Sequence, residues 1–157
     1  MNIKDFMIAD VITAKKNMSI KELLELLVTN RIGGVPVVDK ENNLLGMISD
    51  GDVIRYLQPK GRTVYDMYAL VLVSEQEDLI HKLGYAIDHK LEKVMSTKDI
   101  FTVHPDDKIE NALAIFSKYG FKKIPVVNDD SKVIGVVSRG DIIRYISTTL
   151  ISKTEEQ

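Results

Sequence analysis

Two short stretches, Ser49-Asp50-Gly51-Asp52 and Ser138-Arg139-Gly140-Asp141, carry the side chains best suited to chemistry in this chain of 157 residues. Each follows an apolar run and precedes an apolar segment of helical spacing, so each predicts a strand-to-helix turn. Such a turn offers unpaired backbone N–H groups and the positive end of a helix dipole, a seat for phosphate. The serine hydroxyl adds a donor, and the glycine lets a ligand approach the backbone because no Cβ intervenes. An ionised aspartate accepts on two oxygens and so can hold both vicinal hydroxyls of a ribose. Ser-x-x-Asp ahead of an apolar helix is equally an N-terminal capping arrangement, and the residues by themselves leave both readings open.

No catalytic constellation accompanies these turns. There is no Gly-x-Ser-x-Gly, no Walker sequence, no cysteine and no His-Glu pair of metalloprotease spacing. His81 and His89 have no cysteine or paired carboxylate nearby in sequence, and no metal site is expected. The acidic stretches at 39–41 and 106–107 read as turns and caps. A net charge of −2, from 21 basic and 23 acidic side chains, provides no global positive field for nucleic acid or an anionic membrane, and neither is expected as a partner. The N-terminal residues carry charges at Lys4, Asp5 and Asp10 where a signal peptide would be apolar, and no apolar run is long enough to span a bilayer. With no cysteine, a cytoplasmic location is expected.

The elements that must position the two turns occur twice. Pro36 matches Pro125, an offset of 125 − 36 = 89, and the same offset takes Thr13 to Thr102, Ile20 to Ile109, Gly46 to Gly135, Ser49 to Ser138 and Asp52 to Asp141 without a gap from about residue 10 to 57. Such self-similarity marks an internal duplication, and two copies are too few for a solenoid, which leaves a pair packed about a pseudo-twofold axis. Each copy spells β-α-β-β-α: a short strand ("DVITA", "DIFTV"), a helix, a strand ("VPVV", "IPVV"), a polar turn, a strand ("LLGMIS", "VIGVVS") and a closing helix. Ser19 with Glu22, and Asp107 with Glu110, resemble capping boxes. Ile20, Leu23, Leu24 and Leu27, matched by Ile109, Ala112, Leu113 and Phe116, predict one buried face on each first helix. Pro36 and Pro125, lacking an N–H, should sit where the sheet needs no donor.

At these residues the chain resembles the CBS domains, which occur as tandem pairs called Bateman modules. The resemblance covers both copies and rests on the apolar-Pro strand, the apolar-Gly strand and the closing Ser-x-Gly-Asp, in the same order twice. It implies an α+β fold of two CBS repeats and a regulatory module whose clefts bind adenosine-containing ligands: AMP, ADP, ATP, S-adenosylmethionine or NAD. In the family the residue matching Asp52 or Asp141 holds ribose, and the one matching Ser49 or Ser138 contacts phosphate. Thr13 and Thr102 match the position that frames the adenine, and Val35 and Ile124, beside Pro36 and Pro125, match the apolar residue packed on it. The family's tandem pairs commonly associate as flat homodimers, so a homodimer is expected.

The copies differ in charge. The second has Arg139 inside its turn, Lys122 and Lys123 before its apolar-Pro strand and His104 after its first strand, where the first has Asp50, Gly33, Gly34 and Lys15. If these side chains face the clefts, the second is the nucleotide site, and the first is weaker or takes a less anionic adenosyl compound. Arg139 reaching across to the other ligand is the alternative.

The expected domains are repeat 1 over 1–58, a helical connecting insert over 59–90, repeat 2 over 91–150 and a polar tail over 151–157. Within the insert, Val64, Met67, Tyr68, Val71 and Leu72 can present an apolar face, either as a strap on the core or as a partner surface. The leading functional expectation is a sensor of an adenosyl small molecule, requiring no cofactor and acting in trans on an unidentified protein partner or through its own oligomer. Two alternatives are a ligand-free dimerisation or interaction scaffold that uses the insert at 58–93, and a weak metal-dependent nucleotide hydrolase that uses Asp50, Asp52 or Asp141.

Overall fold

A computed structural model describes residues 1–58, 61–66, 71–76 and 79–155, with the side chains of 61–66, 71–76 and 79 outside the description. In chain order the elements are a 3₁₀ turn at Ile3–Asp5, β1 (Ala14–Lys15), α1 (Ile20–Asn30), β2 (Gly34–Val38), β3 (Leu44–Ser49), α2 (Asp50–Leu57), β4 (Gly61–Asp66), β5 (Val71–Gln76) and α3 (Leu79–Ala86). A second 3₁₀ turn, Leu91–Lys93, leads to α4 (Ile109–Lys118), β6 (Lys123–Val127), β7 (Val133–Ser138) and α5 (Arg139–Tyr145), after which a π-helical stretch, Ile146–Ile151, and α6 (Ser152–Glu155) extend the helix.

Both copies fold alike. The β2–β3 and β6–β7 hairpins pair antiparallel in the same register, Pro36 opposite Met47 and Pro125 opposite Val136. Their turns are held identically, because Asp39 Oδ1 accepts from the amides of Glu41 and Asn43 as Asn128 Oδ1 accepts from those of Asp130 and Lys132. The first strands are shorter than expected. Ala14 and Lys15 pair in parallel with Val37 and Val38, and in the second copy Val103 alone bridges Val126. That brevity accommodates the prolines: Val103 donates to the Pro125 carbonyl, and the missing N–H on the same side of Pro125 faces chain that precedes the bridge.

A twofold axis requires residues lying on it to touch their own equivalents. Lys123 Nζ donates to the carbonyl of Gly34 at 3.1 Å, and Lys132 Nζ donates to Asn43 Oδ1 at 2.9 Å. Both pairs are 89 positions apart (123 − 34 and 132 − 43). Between them Val38, Val127, Val133 and Leu44 form a small apolar cluster shared by the repeats. The fold is therefore α+β, two β-α-β-β-α repeats about a pseudo-twofold axis, as the duplication predicts.

The two main cores show an exchange that the repeat alone does not reveal. Ile3, fully buried, packs with Val103, Ile109, Val126, Val137 and Ile142 of the second repeat, joined by Phe6 and Met7. Leu91, also fully buried, packs with Ile20, Leu23, Val37 and Ile48 of the first, joined by Val94 and Met95. Each lead-in thus completes the other repeat, and each adds an edge to its sheet, Ile8 on Val136 and Ser96 on Met47. Close approach explains the glycine of each apolar-Gly strand. A Cβ on Gly46 would lie 2.6 Å from the Ser96 carbonyl oxygen, and one on Gly135 would lie 2.6 Å from Met7 Sδ.

Several local expectations are corrected. Over 61–66 and 71–76 the insert is strand and not helix: β4 and β5 pair antiparallel with Val64 opposite Val73 and Tyr65 opposite Leu72, and among the described residues of the insert α3 alone fits the helical reading. Thr63, Val64, Tyr65, Val71 and Val73 are β-branched or aromatic, a composition that favours strands when an apolar run is too short for its period to decide. Met67 and Tyr68 lie outside the described residues. Ser19 does cap α1, its Oγ accepting from the Glu22 amide at 3.1 Å. Asp107 does not cap α4; Lys108, the 89-offset equivalent of Ser19, holds the N-cap position, and Asp107 Oδ2 instead accepts from the His104 amide at 2.8 Å. Leu113, expected on a buried face, is 39% exposed.

Candidate functional site

The two Ser-x-Gly-Asp turns have one geometry. Asp52 Oδ2 accepts from the Ser49 amide at 2.9 Å while Ser49 Oγ accepts from the Asp52 amide at 3.3 Å. Asp141 Oδ2 and Ser138 Oγ repeat this at 2.9 and 3.1 Å. These are reciprocal capping boxes, so the capping reading is correct. It leaves the chemistry open, because Oδ2 is spent on the cap while Oδ1 turns outward to the arginine three residues on, Arg55 at 2.8 Å and Arg144 at 3.3 Å. A carboxylate oxygen has two acceptor directions, so each Oδ1 can still receive a ligand hydroxyl. The arginines are the motif aspartates' own partners, a pairing legible in the i,i+3 spacing.

The turns meet across the axis. Asp50 Oδ1 takes its own turn's Gly51 amide at 2.7 Å and lies 3.5 Å from Nζ of Lys122 in the other repeat. Asp50 is therefore countered by a cation from the second copy instead of standing unopposed in the first. The equivalents of Asp50 and Lys122 are Arg139 and Gly33, so the symmetry-related contact has a cation and no side chain to face it. Among the described residues Arg139 makes no ion pair. Lys123 is held at the same seam. Burial pushes its ammonium below the usual lysine range, against the smaller opposing pull of Asp141 and Asp50.

Val35, Pro36, Ile124 and Pro125 are buried in β2 and β6, each chain running beside the strand that ends in its serine. Thr13 and Thr102 lie one residue before β1 and before the Val103 bridge, half-buried and exposed respectively. Phe101, next to Thr102, stacks on Tyr119 with centroids 4.3 Å apart and lies 5.6 Å from Phe121, the neighbour of Lys122; the second repeat thus has an aromatic trio where the first has Ile12, Asn30 and Ile32. His104 sits in the turn before α4 with Asp107, and no contact joins it to Lys122, Lys123 or Arg139. Two cavities open near the first turn. One, of about 340 Å³, is lined by Asp52, Arg55, Tyr56, Lys82, Lys93 and Val94. The other, of about 430 Å³, is an apolar groove between α1 and α2 that includes Leu24, Val28, Ile54 and Leu57. Among the described residues no helix is long and apolar enough to cross a membrane, and no three His, Asp or Glu side chains gather as for a metal ion.

The family model for the CBS domain matches residues 3–59 and 91–148. Uncharacterised protein MJ1426 of Methanocaldococcus jannaschii is 30% identical over 155 residues, covering 93% of this chain and 91% of that protein. Other curated relatives are longer, and the chain spans 58%, 43% and 22% of three of them. The CBS domain pair of protein MJ0100, solved with 5′-methylthioadenosine and S-adenosyl-L-methionine, superposes with a TM-score of 0.69 at 26% identity over 93% of this chain and 99% of that one. CBSX2 of Arabidopsis thaliana, solved with AMP, gives 0.70 at 24% identity over 96% and 98%, a likeness of fold.

Proposed function

The chain belongs to the CBS domain family, and on that premise we propose a non-catalytic regulatory module that binds adenosine-containing ligands where its two Ser-x-Gly-Asp turns meet. One observation carries this reading: Lys122 and Lys123 of one repeat reach Asp50 and Gly34 of the other, which brings two lysines of the second repeat to the turn of the first. The candidate ligands are AMP, ADP and ATP, or S-adenosylmethionine or NAD, and the ligands solved with the MJ0100 pair and with CBSX2 are of this class. Asp52 and Asp141 receive ribose hydroxyls, Thr13, Val35 and Pro36 or Thr102, Ile124 and Pro125 frame the base, and Ser49 or Ser138 meets phosphate. Lys122, Lys123 and Arg139, with His104 at the rim, make the second turn the one that takes the more anionic ligand.

In this reading repeat 1 (1–58), the insert (59–90) and repeat 2 (91–150) act as one cytoplasmic unit ahead of a polar tail (151–157). Its output passes to a protein partner or through a homodimer built on the apolar residues that α1, α2, α4 and α5 leave exposed, among them Val28, Ile54, Leu113 and Ile143. A ligand shifts such an assembly only by its differential affinity for the two arrangements.

Thermal unfolding with each ligand tests the proposal, using the wild type, Asp52→Asn and Asp141→Asn, since asparagine can keep the cap while losing the charge. A ligand at about 100 times its dissociation constant adds about 2.7 kcal/mol. A midpoint raised in the wild type and not in Asp141→Asn is expected; no response to any of the five compounds in folded, nucleotide-free protein defeats the reading.

A further inference from the structure

The two turns are built alike and charged differently at one matched pair of positions. The amide of Asp50 donates to the Gly33 carbonyl at 2.8 Å, and at the offset of 89 the amide of Arg139 donates to that of Lys122 at 3.3 Å. The same backbone seat thus carries Gly33 and Asp50 in the first repeat and Lys122 and Arg139 in the second. Asp52 and Asp141 are common to both turns. Lys122 and Lys123 lie between them, Lys122 on Asp50 and Lys123 on the Gly34 carbonyl, within the field of both Asp141 and Asp50. What distinguishes the first turn is therefore the carboxylate of Asp50, where the second has a guanidinium.

Asp50 does at the first turn what a ligand phosphate would do there. Its Oδ1 accepts from the Gly51 amide at 2.7 Å, a donor at the start of α2, and takes the Lys122 ammonium at 3.5 Å. Arg139 has no acceptor and leaves the matching Gly140 amide without such a partner. A phosphate at the first turn would meet a filled seat and a like charge. The second oxygen of Asp50 is placed differently. Oδ2 turns to Gly33, where a Cβ would lie 3.1 Å from it, and among the described residues it accepts from no donor. The side chain is 45% exposed, so a ligand can reach it. Arg31 lines the same groove between α1 and α2 but makes no ion pair with Asp50 among the described residues.

We propose that Asp50 makes the first turn selective for an adenosyl compound that carries a cation, such as a sulfonium, where a nucleotide carries phosphate. The inference rests on the adenosyl reading and goes beyond it, because it assigns ligands of opposite charge to the two turns. In that reading Asp52 holds the ribose, and Asp50 stands beside Ser49, which faces the 5′ substituent. A carboxylate with one oxygen shared by the Gly51 amide and Lys122 offers its other oxygen to a cationic substituent and repels an anionic one.

S-adenosylmethionine and S-adenosylhomocysteine serve as probes, because they differ by one methyl group and the sulfonium charge it creates; AMP and 5′-methylthioadenosine complete the set. Binding is followed by calorimetry, and backbone amide NMR on the whole chain places each ligand at Gly51 or at Gly140. The expected result is S-adenosylmethionine bound at the first turn about three- to tenfold tighter than S-adenosylhomocysteine, between the scale of an exposed ion pair and that of a charge-assisted contact. Asp50→Asn keeps an acceptor for the Gly51 amide and should erase that preference, whereas Lys122→Gln, which removes the competing cation, should widen it. Opposite shifts from the two variants do not follow from a disturbed fold. Equal affinities for the two probes in the wild type, a preference that survives Asp50→Asn, or S-adenosylmethionine shifts centred on Gly140 would each overturn the inference while leaving the adenosyl reading in place. Failure of all four compounds to bind defeats that reading first, and the inference with it.

Discussion

The two repeats share backbone, register, caps, turn bonds and the motif Asp–Arg pair, yet they differ in charge at the positions beside that pair. Gly33 faces Asp50 where Lys122 faces Arg139, and Gly34 stands where the second repeat has Lys123. What stays equal is what the core and the turns need: Val37 and Val126 at the sheet centre, Ser and Asp reciprocally bonded at each helix start. What diverges is free of those duties and can be fitted to separate ligands. A duplicated scaffold therefore makes its own control, because each side chain has an equivalent that occupies the same backbone with different chemistry.

The largest effects should come from breaking the exchange of lead-ins. Ile3→Ala and Leu91→Ala each remove a fully buried side chain and should cost about 2–5 kcal/mol in denaturant unfolding. Near-equal losses support the exchange, and an Ile3→Ala protein as stable as the wild type breaks it. Next in size are the two close-approach glycines. Gly46→Ala meets the Ser96 backbone and should cost about 1–3 kcal/mol, whereas Gly135→Ala meets mainly the mobile end of Met7 and should cost less. Equal costs would remove that distinction between the repeats.

A third measurement concerns charge at the seam. Because burial depresses the Lys123 ammonium in the fold, the folded chain holds fewer protons than the unfolded one between the depressed value and 10.5. Stability should therefore rise with pH through that alkaline window, and Lys123→Gln should flatten the rise. The smallest expected effect is that of Asp50→Asn. The ion pair it breaks is largely exposed, so stability should change by less than about 1 kcal/mol. The same substitution should tighten phosphorylated ligands and leave 5′-methylthioadenosine unchanged; equal effects on both would show that Lys122 does not discriminate by phosphate.

Much of this was legible in the sequence because it is periodic. The constant offset gives the repeat, the apolar-Pro and apolar-Gly strands give the hairpins, and Ser-x-Gly-Asp gives both the cap and the candidate site. Legibility failed where the physics is not periodic. The lead-in exchange couples residues such as Ile8 and Val136, which only the packed structure brings together. In the β4–β5 hairpin a short apolar run fits two periods. The cavity beside Asp52 draws Lys82 and Lys93 from elements with no counterpart in the motif, and only the fold brings them to that turn.

The exchange also sets an order of assembly. Residues 3–8 stand at the start of the first repeat, but the strand that receives Ile8 is β7 and the core that encloses Ile3 is completed by Ile142. During synthesis, then, this lead-in is made well before the surface that will bury it, and must wait, apolar and unsheltered, while the rest of the first repeat, the hairpin and most of the second repeat emerge. The first repeat waits in turn for Leu91. Contacts of such long sequence separation slow folding, and they make the pair succeed or fail as one cooperative body, so that cutting the chain between the repeats leaves two unfinished cores and no finished one.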